Sequence, residues 1–283
     1  MPELASRDDV EATIAAMLLR VNERQRNVLY EYMGWPPNPA LVPKSVIEQL
    51  EKEAADEMYG IMGTLFVMSA SQFADELDFS VRRSDLIDRA HDWAKVQATT
   101  VASSTLGTKL DRLGKLAANV PPGLPRARLW RPGMDEPVFT PGTSASDLEG
   151  LAGAEEVEVI DPYKQFEQDV LDVFNESSAK TVAKTEVTQA TTAGEKSVAG
   201  GYTKATGKIL EAFWRHRAPK DGQRHPCKKI CQPLENQPSV KWPDIHPLLP
   251  HLWLGPPGHP NCDCNMEWVE LSPEEAAAYG IKF

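Results

Sequence analysis

The sequence predicts an α+β protein dominated by helix. It divides into a helical region over residues 1–118, an acidic Pro/Gly-rich linker or arm over 119–160, and a small α+β domain over 161–283 that carries a Cys/His-rich loop region. Three observations carry this. Apolar residues recur at three- and four-residue steps through the first 118 residues. Prolines, glycines and unopposed acids crowd the middle of the chain. All four cysteines fall between Cys227 and Cys264.

The first helix is predicted over 8–33, where Val10, Ile14, Met17, Leu18, Val21, Val28, Leu29 and Met33 form one apolar stripe. Ser6 is placed to cap it, Asp8 and Asp9 suit the positive end of its dipole, and Gly34-Trp35-Pro36-Pro37 stops it. A second helix starts near Pro43 and runs through Val46, Ile47, Leu50 and Ala54 toward Leu77. A third opens at Ser84-Asp85, with Leu86, Ile87, Ala90, Trp93 and Ala94 on one side, and continues to Leu116.

Val120-Pro121-Pro122-Gly123, Arg131-Pro132-Gly133 and Thr140-Pro141-Gly142 then break any helix. Residues 135–161 hold eight acids and no Lys or Arg, so a packed core is not expected there. Limited proteolysis is expected to cut between Val120 and Ile160 and to release a stable C-terminal fragment. Helix resumes at Asp161-Pro162, burying Phe166, Val170, Val173 and Phe174, and another helix is expected from Ala183 to Val198, ending at Gly200-Gly201. Ile209–Trp214 and Met266–Leu271 read as short strands flanking the cysteine region.

The net charge of −11 speaks against a general nucleic-acid binder, but it is unevenly spread. Eight bases (Lys204, Lys208, Arg215, Arg217, Lys220, Arg224, Lys228 and Lys229) face only Glu211 and Asp221 within 204–229. The N-terminus carries no secretory signal pattern, and the charge-free stretch near Met58–Phe73 is too short and interrupted to span a bilayer. Four cysteines in 283 residues do not make a disulfide framework, so a reduced, cytosolic setting is expected.

Cys227, Cys231, Cys262 and Cys264, with His259 or His225 nearby, supply the thiolates and imidazoles that a tetrahedral, structural zinc ion takes. The other reading of the same residues is four buried or paired thiols in a compact hairpin. Glu186, His216 and His259 admit an acid–base reading. The simpler account places Glu186 in a helix N-terminal turn, where it offsets the dipole.

From Ala179 to Val269 the order of these features resembles the phage Mu F-like family of minor head, or head-morphogenesis, proteins of tailed phages. The matching positions are Ala183-Lys184-Thr185-Glu186, Gly194 and Tyr202, Lys208 and Trp214, the pair Cys227 and Cys231, and the closing loop His259-Pro260-Asn261-Cys262-Asp263-Cys264. The chain departs from the family pattern in four places. Its first cysteine pair is spaced by three residues rather than two, Lys184 and Asp263 stand where arginines are usual, and a Pro-rich insert runs from Trp242 to Gly255.

The resemblance implies a structural minor capsid protein at or near the portal vertex, without turnover chemistry. It would be assembled in the host cytoplasm and held in the virion by the portal or major capsid protein. In that setting Val10, Ile14, Met17, Leu18 and Val21 would form a partner-docking helix face, and the 204–229 bases would meet packaged double-stranded DNA. Two other classes compete. One is a metal-dependent nuclease or toxin-like effector using the C-terminal His/Cys cluster, and the other is a zinc-stapled nucleic-acid adaptor unrelated to virions.

Overall fold

The computed structural model describes residues 7–120, 127–129, 138–139, 162–216, 228–249, 254–260, 262 and 264–281. Helix dominates, with one small antiparallel sheet near the C-terminus. The three predicted N-terminal helices form as α1 (Arg7–Met33), α2 (Lys44–Glu76) and α3 (Arg83–Ala118). Ser6 lies outside the described residues. Of the predicted linker, the structure describes Asn119, Val120 and two short strands, β1 (Ala127–Leu129) and β2 (Val138–Phe139), which pair antiparallel. The rest of that segment lies outside the described residues. Helices α4 (Pro162–Asp172) and α5 (Glu176–Thr206) follow. Then come β3 (Ile209–His216), two short helices α6 (Cys231–Leu234) and α7 (Trp242–Ile245), β4 (Cys264–Leu271) and α8 (Pro273–Ala278). Among the described residues no helix is long and apolar enough to cross a membrane.

Helix α5 is longer than predicted at both ends. Asn175 starts it, its Oδ1 accepting the Ser178 N–H at 2.9 Å. The helix then runs through Gly200-Gly201, although each glycine costs about 1 kcal/mol relative to alanine in a helix. Packing overrides that local cost: Tyr202 is buried, its ring meets Phe79 edge-on at 5.4 Å, and its hydroxyl reaches Glu270. The helix ends at Gly207, whose φ of +72° suits a residue without Cβ.

The chain gathers into two units, and each draws on both the N-terminal and the C-terminal parts of the sequence. One comprises 16–56 and 99–179. Its core joins Leu29, Tyr30 and Met33 of α1 and Leu106 and Leu113 of α3 to Phe166 and Val170 of α4 and Phe174 beyond it. Trp35 meets Phe166 edge-on at 5.3 Å, and Tyr30 meets Phe174 at 6.1 Å. Within it Lys109 is buried, and among the described residues it has no carboxylate partner. Its Nζ donates to Asn22 Oδ1 and Gln25 Oε1, both at 2.6 Å, and burial lowers its pKa to about 8.

The other unit comprises 1–15, 57–98 and 180–283. One core joins Phe66, Ala70 and Phe73 of α2 and Leu86 and Ala90 of α3 to Val198 and Ala199 of α5. Gly194 lets α5 approach α2 closely: a Cβ there would stand 2.6 Å from the Phe66 carbonyl oxygen, nearer than atoms can pack.

The apolar stripe of α1 faces inward. Ile14, Met17 and Leu18 are buried and Val10 and Val21 are half-buried, so the expected docking face already serves the protein's own interior. The shared cores likewise change the expectation for proteolysis, because α4 and α5 bury their apolar faces against the N-terminal helices. Fragments cut within 120–160 should therefore co-elute on native size exclusion and separate in denaturant. A C-terminal fragment that elutes alone with its helical circular dichroism intact would show these cores to be dispensable.

Candidate metal centre

Strands β3 and β4 pair in antiparallel register from Ile209 opposite Leu271 to His216 opposite Cys264. Cys264 is thereby fixed at the start of β4 and Trp214 is set two residues from the paired end of β3. The free edge of β3 is covered by the 231–238 segment. Trp214 N–H donates to the Gln237 carbonyl at 3.1 Å, and Asn236 N–H returns to the Trp214 carbonyl at 2.9 Å. This places α6, which begins at Cys231, beside the strand. The closing loop turns sharply before β4, the Cys262 N–H donating to the His259 carbonyl at 3.1 Å. Helix α5 touches the same loop, Thr188 Oγ1 lying 3.4 Å from the Cys262 carbonyl oxygen.

These elements bring Cys231, Cys262 and Cys264 together. Each is about 1% exposed, none is in a disulfide, and their sulfurs all lie within 4.8 Å of one another. Cys231 and Cys262 Sγ are 3.9 Å apart. Two thiolates on one tetrahedral zinc, at a bond length of about 2.3 Å, stand roughly 3.8 Å apart. Ala212, Trp214, Leu234, Trp242 and Met266 enclose the sulfurs, with the two indoles edge-on at 5.4 Å.

Two further observations fit a metal. The Cys262 thiol is held well below its usual pKa because Cys231 and then Cys264 hydrogen-bond to it, so one sulfur of the group is disposed to be a thiolate. Trp214 Nε1 is buried without a hydrogen-bond partner among the described residues, and it stands beside Cys264, whose thiol is raised overall while the indole acts against that shift. An N–H facing a sulfur finds a poor acceptor in a thiol and a good one in a metal-bound thiolate. Three buried cysteines thus lie where they could hold a metal ion.

The remaining predicted ligands fare differently. Cys227 and His225 lie outside the described residues. His259 does not join the sulfur group. Its Nδ1 is 2.8 Å from the Pro260 carbonyl oxygen and must donate to it. Of the predicted basic patch, Arg217, Lys220 and Arg224 lie outside the described residues. Lys204, Lys228 and Lys229 are exposed. Lys208 pairs with Glu270 at 3.0 Å, and Arg215 pairs with Glu267, so strand β4 neutralises part of the patch.

The acid–base grouping does not assemble. Glu186 is not in a helix N-terminal turn either, since α5 begins ten residues earlier, at Glu176. It is buried, accepts a 3.3 Å hydrogen bond from Gln97 Nε2, and burial raises its pKa to about 7. His216 ends β3, and its backbone N–H donates to Glu235. Two groups escaped sequence reasoning altogether. Glu195 accepts from Trp268 Nε1 at 3.0 Å and is raised by burial to about 7, and Lys196 stands over the Trp242 ring at 5.8 Å. No local pattern marks either, because Glu195 meets Trp268 of β4 and residues of α1 and α2, and Lys196 meets Trp242 of the loop between the strands, all distant in sequence.

Glu186 gives a pH test. Folded, it takes a proton near pH 7; unfolded, near 4.5. The folded state binds more protons between those values, so stability falls as pH rises from about 4.5 to about 7. Glu186→Gln should remove that loss. It should raise the melting temperature at pH 8, reflecting up to roughly 3 kcal/mol, and change it little at pH 5. Equal effects at the two pH values would show that Glu186 is already ionised in the folded chain throughout.

Comparison with family models, with curated proteins and with solved structures gives no match.

Proposed function

We propose that the protein is a structural minor head protein of a tailed phage, acting in head morphogenesis at or near the portal vertex. In this reading zinc fastens its C-terminal region. Cys231, Cys262 and Cys264 would hold the ion, with Cys227 completing a closed four-thiolate set. The observation that carries the reading is the closing loop. His259–Cys264 is the part of the chain that most resembles the Mu F-like family, and its two cysteines meet Cys231 in one buried cluster. A closed thiolate site staples a small, loop-rich segment, and the binding energy of such a site is folding energy.

The docking surface moves elsewhere than α1, whose stripe is occupied by the protein's own core. Any attraction to packaged DNA falls to exposed bases such as Lys204, Lys228 and Lys229, and would be modest and salt-sensitive. A metal nuclease would need an open coordination position and a carboxylate beside it. Among the described residues the sulfur group includes no carboxylate.

Two measurements test the proposal. The purified chain should contain close to one zinc. Cys262→Ser combined with Cys264→Ser should abolish it and lower the melting temperature by roughly 5–10 °C. Elemental analysis without metal, and indifference to chelator, would leave the thiols as ordinary core. For the assembly role, mass spectrometry and cryo-electron microscopy of purified virions should find the full chain at the portal vertex. Particles that lack it, or divalent-metal-dependent DNA cleavage by the purified chain, would replace the structural reading with the effector one.

A further inference from the structure

Helix α5 and the loop 254–260 border a cavity of about 470 Å³, inside the range of about 300–1,000 Å³ usual for small-molecule sites. Trp93 of α3, Leu254, Pro256 and Pro257 give it apolar walls. Thr185, Gln189, Thr192 and Lys196 line it from successive turns of α5, and among the described lining residues there is no carboxylate. The Lys196 ammonium is directed elsewhere. It lies 5.8 Å from the Trp242 ring centroid and feels the Glu211 carboxylate, and neither of those residues lines the cavity. What Lys196 gives the cavity is therefore its methylene stem. The other titratable group is the exposed His259, whose Nδ1 lies 2.8 Å from the Pro260 carbonyl oxygen.

Two neutral groups of the lining still have hydrogen bonds to give. Thr192 is 6% exposed, yet among the described residues its hydroxyl has no partner. Its neighbours Thr185, Thr188 and Thr191 each donate back to the carbonyl four residues earlier. The Thr192 oxygen is not sealed off as Gln25 Nε2 and Trp214 Nε1 are, so a molecule in the cavity can reach it. A buried hydroxyl without a partner is costly, and an acceptor brought to it removes that cost. Gln189 has its Oε1 engaged by Gln97 Nε2 at 2.8 Å, and the same nitrogen donates to Glu186 Oε2 at 3.3 Å. An ionised Glu186 can only accept, which fixes the Gln97 amide and leaves the Gln189 NH₂ group to donate. Gln189 and Thr192 are three residues apart on one helix, so their side chains are neighbours.

We propose that this cavity binds an uncharged ring compound bearing an amide carbonyl, its ring against Trp93, Leu254 and the two prolines and its carbonyl oxygen accepting from the Gln189 NH₂ group and the Thr192 hydroxyl. One carbonyl oxygen has two lone pairs, enough for both donors. The lack of charge selects the ligand class. A carboxylate of the same shape would lose its water without a cation directed at it, whereas a neutral amide exchanges one set of hydrogen bonds for another. The site uses none of the sulfur ligands, and it goes beyond the zinc and capsid readings.

The test uses the full chain at pH 8, where Glu186 is ionised, and two probes of equal shape: 2-naphthamide and 2-naphthoate. Calorimetric titration should show one saturable naphthamide site per chain, tighter than naphthoate by about ten-fold or more. Thr192→Val keeps the shape and removes the hydroxyl, and Gln189→Leu removes the other donor. Each should weaken naphthamide by about five-fold, the worth of one hydrogen bond. Absence of saturable naphthamide binding, naphthoate bound as tightly or more tightly, or unchanged naphthamide affinity in either variant overturns the proposal. Should a variant fail to fold, nuclear Overhauser contacts in the parent chain decide the same point. Bound naphthamide should show them to the Leu254 methyls and the Thr192 methyl, and their absence overturns the proposal.

Discussion

The closing loop can reach the strands only where the chain lacks side chains. At Gly258 a Cβ would stand 3.0 Å from Ile230 Cγ2 and 3.2 Å from Trp214 Cζ2. At Gly255, φ is +105° and a Cβ would stand 2.9 Å from Met266 Sδ and 3.0 Å from Thr192 Cγ2. Both positions therefore favour glycine, one through space and the other through backbone conformation as well. This close approach seats Cys262 beside Cys231 and Cys264, and it holds Pro256 and Pro257 against α5 to form one wall of the cavity.

Trp214 is the body against which that loop is laid. It is fully buried, its backbone N–H and carbonyl both bond to the 236–237 segment, and its indole meets Trp242 edge-on. A two-stranded sheet alone is marginal in water. Here β3 gains the 231–238 segment along its free edge, and the face bearing Ala212 and Trp214 gains the sulfurs and aromatic rings of the cluster. The Phe213 side of the strand is closed separately by Leu271, Ala276 and Tyr279, with α8 started by a Ser272–Glu275 capping box. The sheet is small, but both of its faces are covered.

Among the described residues four charged groups lie in desolvating surroundings, alongside a larger set of surface ion pairs. Glu186, Glu195, Lys109 and Lys196 all sit in low-dielectric surroundings that shift their pKa values toward the neutral form. Their partners are mainly amides, an indole N–H and aromatic faces. Surface ion pairs such as Lys208–Glu270 are exposed and add little to stability. Their larger effect is to reduce the positive potential of the 204–229 segment.

The sequence by itself determined the five longer helices, both strands of the C-terminal sheet and the grouping of the cysteines, because periodicity, capping residues and cysteine spacing are local properties of a chain. The short helices α6 and α7 carried no such signal, and α8 only its Ser272–Glu275 cap. It also marked Gly194 as notable, although the reason, contact with the α2 backbone, is a tertiary one. What only the tertiary structure decided depends on neighbours far away in sequence. The stripe on α1 reads equally well as an interface or as core until other elements are seen to bury it. Glu186 looked like a helix-start residue because its helix was expected to begin at Ala183, while Asn175 starts it earlier. His259 reads as a ligand by spacing, whereas its ring nitrogens do not lie with the three sulfurs. Lys196 carried no signal at all, since a lysine on a helix looks solvated until a loop some 60 residues later covers it. Local patterns report the shape a segment takes, whereas burial and the chemistry that burial confers belong to whatever the rest of the chain lays on top.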